Sequence, residues 1–310
     1  MPLSRADGRG SDDIRPLHIV YERLDRVDGS ARFGFGTSRF AMVFLISTFS
    51  LVSTGETQSL ASVSGPIEVR FAAEQPSKAT VEVNVRPLSS LPGTESKALA
   101  TSLKGLLSPS IILSHSPRAL IQLVIQSLTP SLAEGFSPSL IAACINASSL
   151  ALLNAGSIPM ISVVCAVAIA RLRSSTEEDD ASPLALVLDP SEAELLETGS
   201  CGCFAFSFAT EISGSQQLQD SPAGRMVWAN WHAKDGLFDE GEFARAQALS
   251  LAGAESVWRA VKLSVPQMDG SPPLPPPGPL SADVMENVAQ SDVNIKTSDQ
   301  EDSDDAKVEI

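Results

Sequence analysis

Residues Ser137 to Met160 read SPSLIAACINASSLALLNAGSIPM, and how this stretch folds decides the architecture of the whole chain. From Leu140 to Leu153 apolar and small side chains fall on every helical face, so a helix here is buried all round instead of lying on a surface. Its ends are marked as well. Ser137 is placed to cap the first turn, Pro138 takes the first helical position where no N–H is needed, and Gly156 supplies the left-handed residue that closes the last turn. A helix buried on all sides needs packing partners on several of them.

The flanking sequence supplies these partners as strands. Upstream, Leu17 to Leu24 alternates like a strand and Asp28-Gly29 is a hairpin signal. Ala79 to Arg86, ATVEVNVR, sets Val81, Val83 and Val85 against Glu82, Asn84 and Arg86, the period-two pattern of a half-buried strand. Leu91 to Thr94 turns the chain, Leu99, Leu103 and Leu106 line one face of a first helix, and Ala119 to Gln126 is a near-continuous apolar strand. Downstream, Ile161 to Leu172 and Leu184 to Asp189 read as strands separated by a charged loop, Arg173 to Ala181. Cys203 to Phe208 and Met226 to Trp231 follow as two more strands. Asp239 with Glu242 resembles a capping box, and Ala244, Ala248, Leu251, Ala254, Trp258 and Val261 line one face of a long terminal helix. The pattern predicts an α+β fold of mixed sheets packed on helices.

Two segments depart from it. Thr37 to Gly55, TSRFAMVFLISTFSLVSTG, carries a 13-residue apolar run from Phe40 to Val52, short of the roughly 20 residues that span a bilayer. Deleting it joins Gly36 to Glu56 and leaves a continuous strand, hairpin and strand. The segment reads as an insertion, either a translated intron or a rare extra loop within a domain spanning residues 1–264. Residues 265–310, with the run PPLPPPGPL and an acidic end, lack a periodic apolar face and read as a disordered tail, used as a linker or as a Pro-rich ligand.

At 310 residues and 43% hydrophobic, the chain has material for a substantial core. Its net charge of −15 is uneven, since residues 265–310 set ten acids against Lys296 and Lys307. An acidic balance disfavours autonomous gripping of nucleic acid, which lysines and arginines achieve by releasing counterions. Trp228 and Trp231 accordingly read as packing residues, because a base-stacking platform comes with basic neighbours. The four cysteines (Cys144, Cys165, Cys201, Cys203) and three histidines include no pair with zinc-ligand spacing. Cys201-Gly202-Cys203 is either a pair of reduced strand thiols or a redox or metal site, and the first reading is the simpler. The polar, charged stretch MPLSRADGRGSDDIRP predicts no secretory signal.

Three groups of residues together resemble the signature run of the ribonuclease PH family. They are Arg5-Ala6-Asp7-Gly8-Arg9 with Ile14-Arg15-Pro16; Asp28-Gly29-Ser30-Ala31 with Ser64-Gly65-Pro66-Ile67-Glu68-Val69; and Ile145-Asn146-Ala147 through Ala155-Gly156 to Ile158-Pro159-Met160. With Ser116-Pro117-Arg118 the resemblance covers about residues 5 to 264, less the insertion. Gly65 to Val69 and Arg118 to Gln122 are most similar to a ring subunit of the eukaryotic exosome.

The resemblance implies a ribonuclease PH-like fold and, for catalytic members, cleavage of RNA from its 3′ end by inorganic phosphate. That chemistry needs arginines and helix N-terminal amides around a phosphate, and carboxylates to hold a divalent metal or act as acid. This chain departs from the pattern at three places. The Gly-Thr-Arg triplet that opens the central helix in active members falls on Ser139, Leu140 and Ile141. An arginine pair ahead of the first helix falls near Thr94 and Glu95. Paired aspartates six apart fall on about Leu195 and Cys201, and a shifted register through Asp189 and Glu194 does not restore the set. The resemblance therefore implies a non-catalytic ring subunit with no catalytic, metal or cofactor residues of its own, an active phosphate-dependent exoribonuclease being the alternative. It also implies partners among related ring subunits, RNA met indirectly through the channel, no membrane or DNA, and residence in the nucleus, nucleolus and cytoplasm. Arg118 is the one family arginine still in place and is assigned to RNA or subunit contact.

Overall fold

The computed structural model describes residue 5 and residues 7–36, 56–88, 91–131, 135–172, 185–209, 224–233 and 239–269. A first sheet is built from β1 (Leu17–Tyr21), β2 (Gly29–Phe35), β3 (Thr57–Glu68), β4 (Thr80–Arg86) and, after helix α1 (Thr94–Leu107), β5 (Ala119–Ser127). Its order is β1-β2-β3-β5-β4, antiparallel throughout except for β4 and β5. Those two run parallel because α1 carries the chain back between them, the crossover that a parallel pair requires. Helix α2 (Pro138–Ala155) follows. A second sheet then forms from β6 (Val163–Leu172), β7 (Ala185–Leu188), β8 (Thr198–Phe208) and β9 (Arg225–Ala233), in the order β7-β6-β8-β9, with the short helix α3 (Glu192–Glu197) before β8. Helix α4 (Glu240–Ser264) closes the domain.

The reading of Ser137 to Met160 holds in full. Every residue of α2 from Ser139 to Leu152 is buried, because the helix lies between the two sheets, against β2 and β3 on one side and β6 and β8 on the other. Ser137 Oγ accepts from the Leu140 N–H at 3.2 Å, and Gly156 takes φ +62° at the far end. By length and composition α2 could cross a bilayer, yet 78% of it is buried within the protein. Each large side chain it buries, such as Ile145, Leu150 or Leu152, contributes on the order of 1.5–3 kcal/mol. Its polar residues are satisfied inside. Asn146 donates from Nδ2 to Ala166 O (2.9 Å) and accepts from Ala166 N–H (2.8 Å), which pins the helix to the middle of β6.

On the first sheet the period-two pattern sends Phe33, Ala61, Leu123 and Val83 toward the helices while Arg32, Gln122 and Asn84 line the other face. Leu99, Leu103 and Leu106 of α1 are buried as expected. The strands read at 17–24, 79–86, 119–126, 161–172, 184–189, 203–208 and 226–231 are all present with shifted ends. Trp231 and Trp228 pack against the core, Trp231 with its ring 5.9 Å from that of Phe204.

Several expectations need correction. Asp28-Gly29 is not the tip of a tight hairpin, since seven residues separate β1 from β2 and Gly29 opens β2. Its glycine serves a close approach instead: a β-carbon there would stand 2.4 Å from Ala151 O and Ala155 N of α2. Of the expected α4 face, Ala254 and Val261 are buried and Leu251 and Trp258 pack against the core, whereas Ala244 and Ala248 are exposed; Glu242, Ala246, Ser250, Gly253, Val257 and Ser264 complete the buried face. Closeness of packing selects this face more than hydrophobicity does, because a β-carbon at Gly253 would meet Leu188 Cδ1 at 2.8 Å. Asp239 caps α4 through the Gly241 N–H, but Glu242 reaches Arg171 and not the cap, so no capping box forms there. The first residues assigned to the tail, Val265–Asp269, form a 3₁₀ turn continuing α4. The rest of that tail, the insertion at 37–55 and the loop at 173–181 lie outside the described residues. The register of β2 and β3 does bear on the insertion. Phe35 pairs directly with Thr57, so without residues 37–55 only Gly36 and Glu56 would connect the strands.

Candidate functional site

Helices α1 and α2 begin on the same side of the molecule, and a cleft of about 720 Å³ opens between their N-termini. The end of β5 forms one wall through Ser127, and Thr94, Glu95, Gly135, Phe136 and Leu140 contribute to the rest. A helix N-terminus favours anions through its free N–H groups and dipole. Here the cleft offers no cation: Glu95 is the only charged side chain among the described residues that line it. Its carboxylate lies against Gly135, where a β-carbon would stand 2.8 Å from Glu95 Oε2.

Of the three α2 positions in question only Leu140 lines the cleft. Ser139 donates through Oγ to Pro190 O at 2.7 Å, Leu140 is buried at the cleft wall, and Ile141 is buried. The α2 N-terminus also has an anion of its own, because Ser137 Oγ donates to the Glu192 carboxylate. Leu195 and Cys201 lie in one small apolar cluster with Ala170, Val187 and Leu172. A leucine and a thiol in such a setting do not fit a hard divalent cation, which takes oxygen ligands.

The acids of the shifted register, Asp189 and Glu194, are engaged in a different structure. Asp189, fully buried at φ +49°, accepts from Arg15 N–H (2.9 Å), Nε (2.8 Å) and Nη2 (2.6 Å), with Arg9 Nη1 3.7 Å away. Arg15 also donates to Thr57 at 3.2 Å and lies over the Phe35 ring at 5.7 Å, so it joins the β2–β3 end to the second sheet. Burial alone would lower the Arg15 pKa, but the Asp189 charge and hydrogen bonds outweigh it and raise it. Arg5, buried, bonds both oxygens of Glu194 (2.9 and 2.8 Å) and the carbonyls of Leu188 and Asp189. Burial pushes the Glu194 carboxyl up, yet the bonds from Arg5 and Ser191 and the Arg5 charge prevail and hold it below its ordinary value. Glu194 is in addition the reciprocal partner of Ser191 in a complete capping box on α3. Sequence reasoning missed α3 and these pairs, although Ser191-Glu192-Ala193-Glu194 carried the capping signal.

Arg118 does not join the cleft. It stands just before β5, at the opposite end of a nine-residue strand and roughly 30 Å from Ser127. Its backbone is left-handed (φ +60°), its side chain is 69% exposed, and Nε lies 3.4 Å from Glu74 Oε1. The arginine occupies the exposed turn ahead of the strand. The cysteines form no disulfide. Cys201 and Cys203 are strand residues of β8, and burial raises the thiols of Cys165 and Cys203 strongly and that of Cys144 to about 11. Among the described residues no three His, Cys, Asp or Glu side chains are grouped to hold a metal.

This architecture and these fastenings define a class. Residues 13–157 match the model of the 3′ exoribonuclease family, domain 1, and the chain belongs to that family, the ribonuclease PH family. Within it the relatives include exosome components named RRP46 and others named Rrp41. The chain is 30% identical over 186 residues to exosome complex component RRP46 of Saccharomyces cerevisiae, covering 60% of this chain and 71% of the relative. It is 28% identical over 228 residues to the exosome complex exonuclease RRP46 homolog of Oryza sativa, covering 72% and 81%. The crystal structure of rice Rrp46 superposes with a TM-score of 0.61 at 25% identity, over 84% of this chain and 99% of that one.

Proposed function

We propose that this chain is an exosome ring subunit of the RRP46 type that supports 3′-to-5′ RNA processing and degradation without catalysing it. In this reading it assembles with other ribonuclease PH-like subunits, meets RNA through the channel they enclose, and resides in the nucleus, nucleolus and cytoplasm. The relatives named RRP46 support the assembly. The observation that carries the absence of catalysis is the apolar cluster in which Leu195 and Cys201 stand where active members are expected to hold paired aspartates. Glu95 in the cleft and Glu192 on the α2 N-terminus add to it, since each would repel an incoming phosphate dianion. A pocket without anion ligands and metal carboxylates has little with which to stabilise phosphoryl transfer. Exposed Arg118 is left as a contact for RNA or a neighbouring subunit.

Purified chain, alone and in the complex recovered with a tagged copy, is incubated with RNA, inorganic phosphate and magnesium. The expected result is no release of nucleoside diphosphates attributable to this chain, with related ring subunits among the copurified proteins. Phosphate-dependent release by the chain alone overturns the reading in favour of an active exoribonuclease.

A further inference from the structure

Strand β4 is the outer strand of the first sheet and pairs on one side only, with β5. In a parallel pair alternate residues turn their N–H and C=O groups away from the partner strand. Along the seven residues Thr80–Arg86 that outward row is free: beyond the pairing with β5, no backbone hydrogen bond among the described residues reaches Val81 to Arg86. Natural sheets usually blunt such an edge with a proline, a bulge or a covering element. This one instead borders an open groove of about 860 Å³ that runs between the strand and α1. Ser96, Ala100 and Thr101 face it from α1, and their small side chains keep it open.

The groove also reverses the sign of the protein. In a chain of net charge −15, it is lined by Arg70, Arg86, Lys97 and Lys104 against a single acid, Glu82. All four cations are exposed, and none forms an ion pair among the described residues. Unpaired cations beside an unpaired strand edge suit a ligand that brings both carboxylates and backbone donors. Among the described residues no aromatic side chain lines the groove, so they provide no stacking surface of the kind single-stranded nucleic acid uses.

We propose that this edge is a docking site for an acidic, extended peptide segment of another polypeptide, which adds as a strand outside β4 and pairs its carboxylates with Lys97, Lys104, Arg70 and Arg86. Main-chain hydrogen bonds supply the affinity in such strand addition, and the cations select the sequence. The inference stands on the edge and its charges, whether or not the chain sits in a ring.

The test uses the full chain and a fluorescein-labelled nine-residue peptide alternating acidic residues with valine, followed by fluorescence anisotropy. Saturable binding is expected, abolished when every backbone amide of the peptide is N-methylated. Reversing two charges (Lys97→Glu with Lys104→Glu) should weaken it about tenfold. Lys97→Gln with Lys104→Gln repeats the measurement should the reversal disturb α1. Equal binding of the N-methylated peptide would reduce the site to a charged surface and overturn strand addition. Binding unmoved by either lysine pair would place the peptide elsewhere and overturn the assignment. Displacement of the peptide by a short single-stranded RNA that the same variants weaken would make this a nucleic-acid surface. A dimer that dissociates on adding the peptide would show that a second copy covers the edge. Either of these last outcomes also refutes the proposal.

Discussion

Replacing Asp189 with asparagine isolates the charge on which the junction between the two halves of the domain depends. The substitution keeps the side-chain shape, and asparagine tolerates the left-handed backbone at this position as well as aspartate does. What it removes is the counter-charge for Arg15, whose side chain is 5% exposed, and for Arg9. It also turns an NH₂ group toward guanidinium donors that now hold a carboxylate oxygen at 2.6 to 2.8 Å. Breaking a buried pair by removing one partner costs about 3–5 kcal/mol, because the surviving charge stays desolvated. Against a total stability of about 5–15 kcal/mol that is a large share. In a domain of this size it lowers Tm by roughly 10 °C. Urea and thermal denaturation followed by circular dichroism measure the loss. The double variant Arg15→Met with Asp189→Leu should be less damaged than the sum of its single variants, since removing both charges leaves neither stranded. A loss below about 1 kcal/mol for Asp189→Asn, or strict additivity in the double variant, would refute the claim that this acid is a fastening of the fold.

Glu194 makes the same junction sensitive to acid. Its folded-state pKa is depressed, so its contribution is fully present above the ordinary carboxylate value near 4.5 and is lost as pH falls through the lower folded value. Urea midpoints should therefore fall more steeply below about pH 4.5 in the natural chain than in Glu194→Gln. Deleting residues 37–55 leaves Gly36-Glu56 as a two-residue hairpin loop, with Gly36 already at φ +95°, a conformation that such turns demand. Shortening the connection from 21 residues to two favours folding by up to about 2 kcal/mol, so the deletion variant should be at least as stable in urea; a less stable one would show that the segment belongs to the fold. Gly29→Ala should cost about 1–3 kcal/mol through overlap with the α2 backbone, measured the same way. Iodoacetamide applied to the native protein near neutral pH should spare Cys144, Cys165 and Cys203, with mass spectrometry finding label at Cys201 at most.

The parts of this fold that follow a period were legible in the sequence, and the parts set by partners far along the chain were not. The all-round burial of α2 could be read because small and apolar residues filled every face, and the valines of β4 because they alternated. The face of α4 was read correctly at Leu251, Ala254, Trp258 and Val261 but not at its N-terminal half, because packing there rests on Ala246, Ser250 and Gly253, which carry little hydrophobic signal but let the helix approach β7. The pairing of Arg5 with Glu194 spans 189 positions and that of Arg15 with Asp189 spans 174, and no local pattern announces either. The resemblance placed departures from the active pattern at Leu140 and Glu95, which line the cleft, and at Leu195 and Cys201, which do not. It could not show that Glu192 bonds the α2 N-terminus or that Leu195 and Cys201 share one apolar cluster.

The signature residues explain why the family stays recognisable at a site with so few anion ligands. Arg5, Arg9 and Arg15 close the junction to Asp189 and Glu194. Asp28 Oδ2 accepts from Gly65 N–H (2.7 Å), Ser157 donates to Gly65 O (2.8 Å), and Gly29 receives the last turn of α2. Asn146 holds α2 to β6. The Asp28–Gly65 bond ties β3 to the residue before β2 within the first sheet, the contacts of Ser157, Gly29 and Asn146 tie α2 to the sheets on either side, and none of these residues lines the cleft. The residues that mark the family are therefore separate from those its chemistry would require. On the proposed reading the chain has given up the second set and folds through the first. On that reading, restoring arginine at Ile141 or aspartate at Leu195 alone should change stability without producing phosphorolysis, because each would act only in a pocket whose other members are absent. Phosphate-dependent release of nucleoside diphosphates from either single variant would show that the cleft had kept more of its chemistry than its side chains indicate.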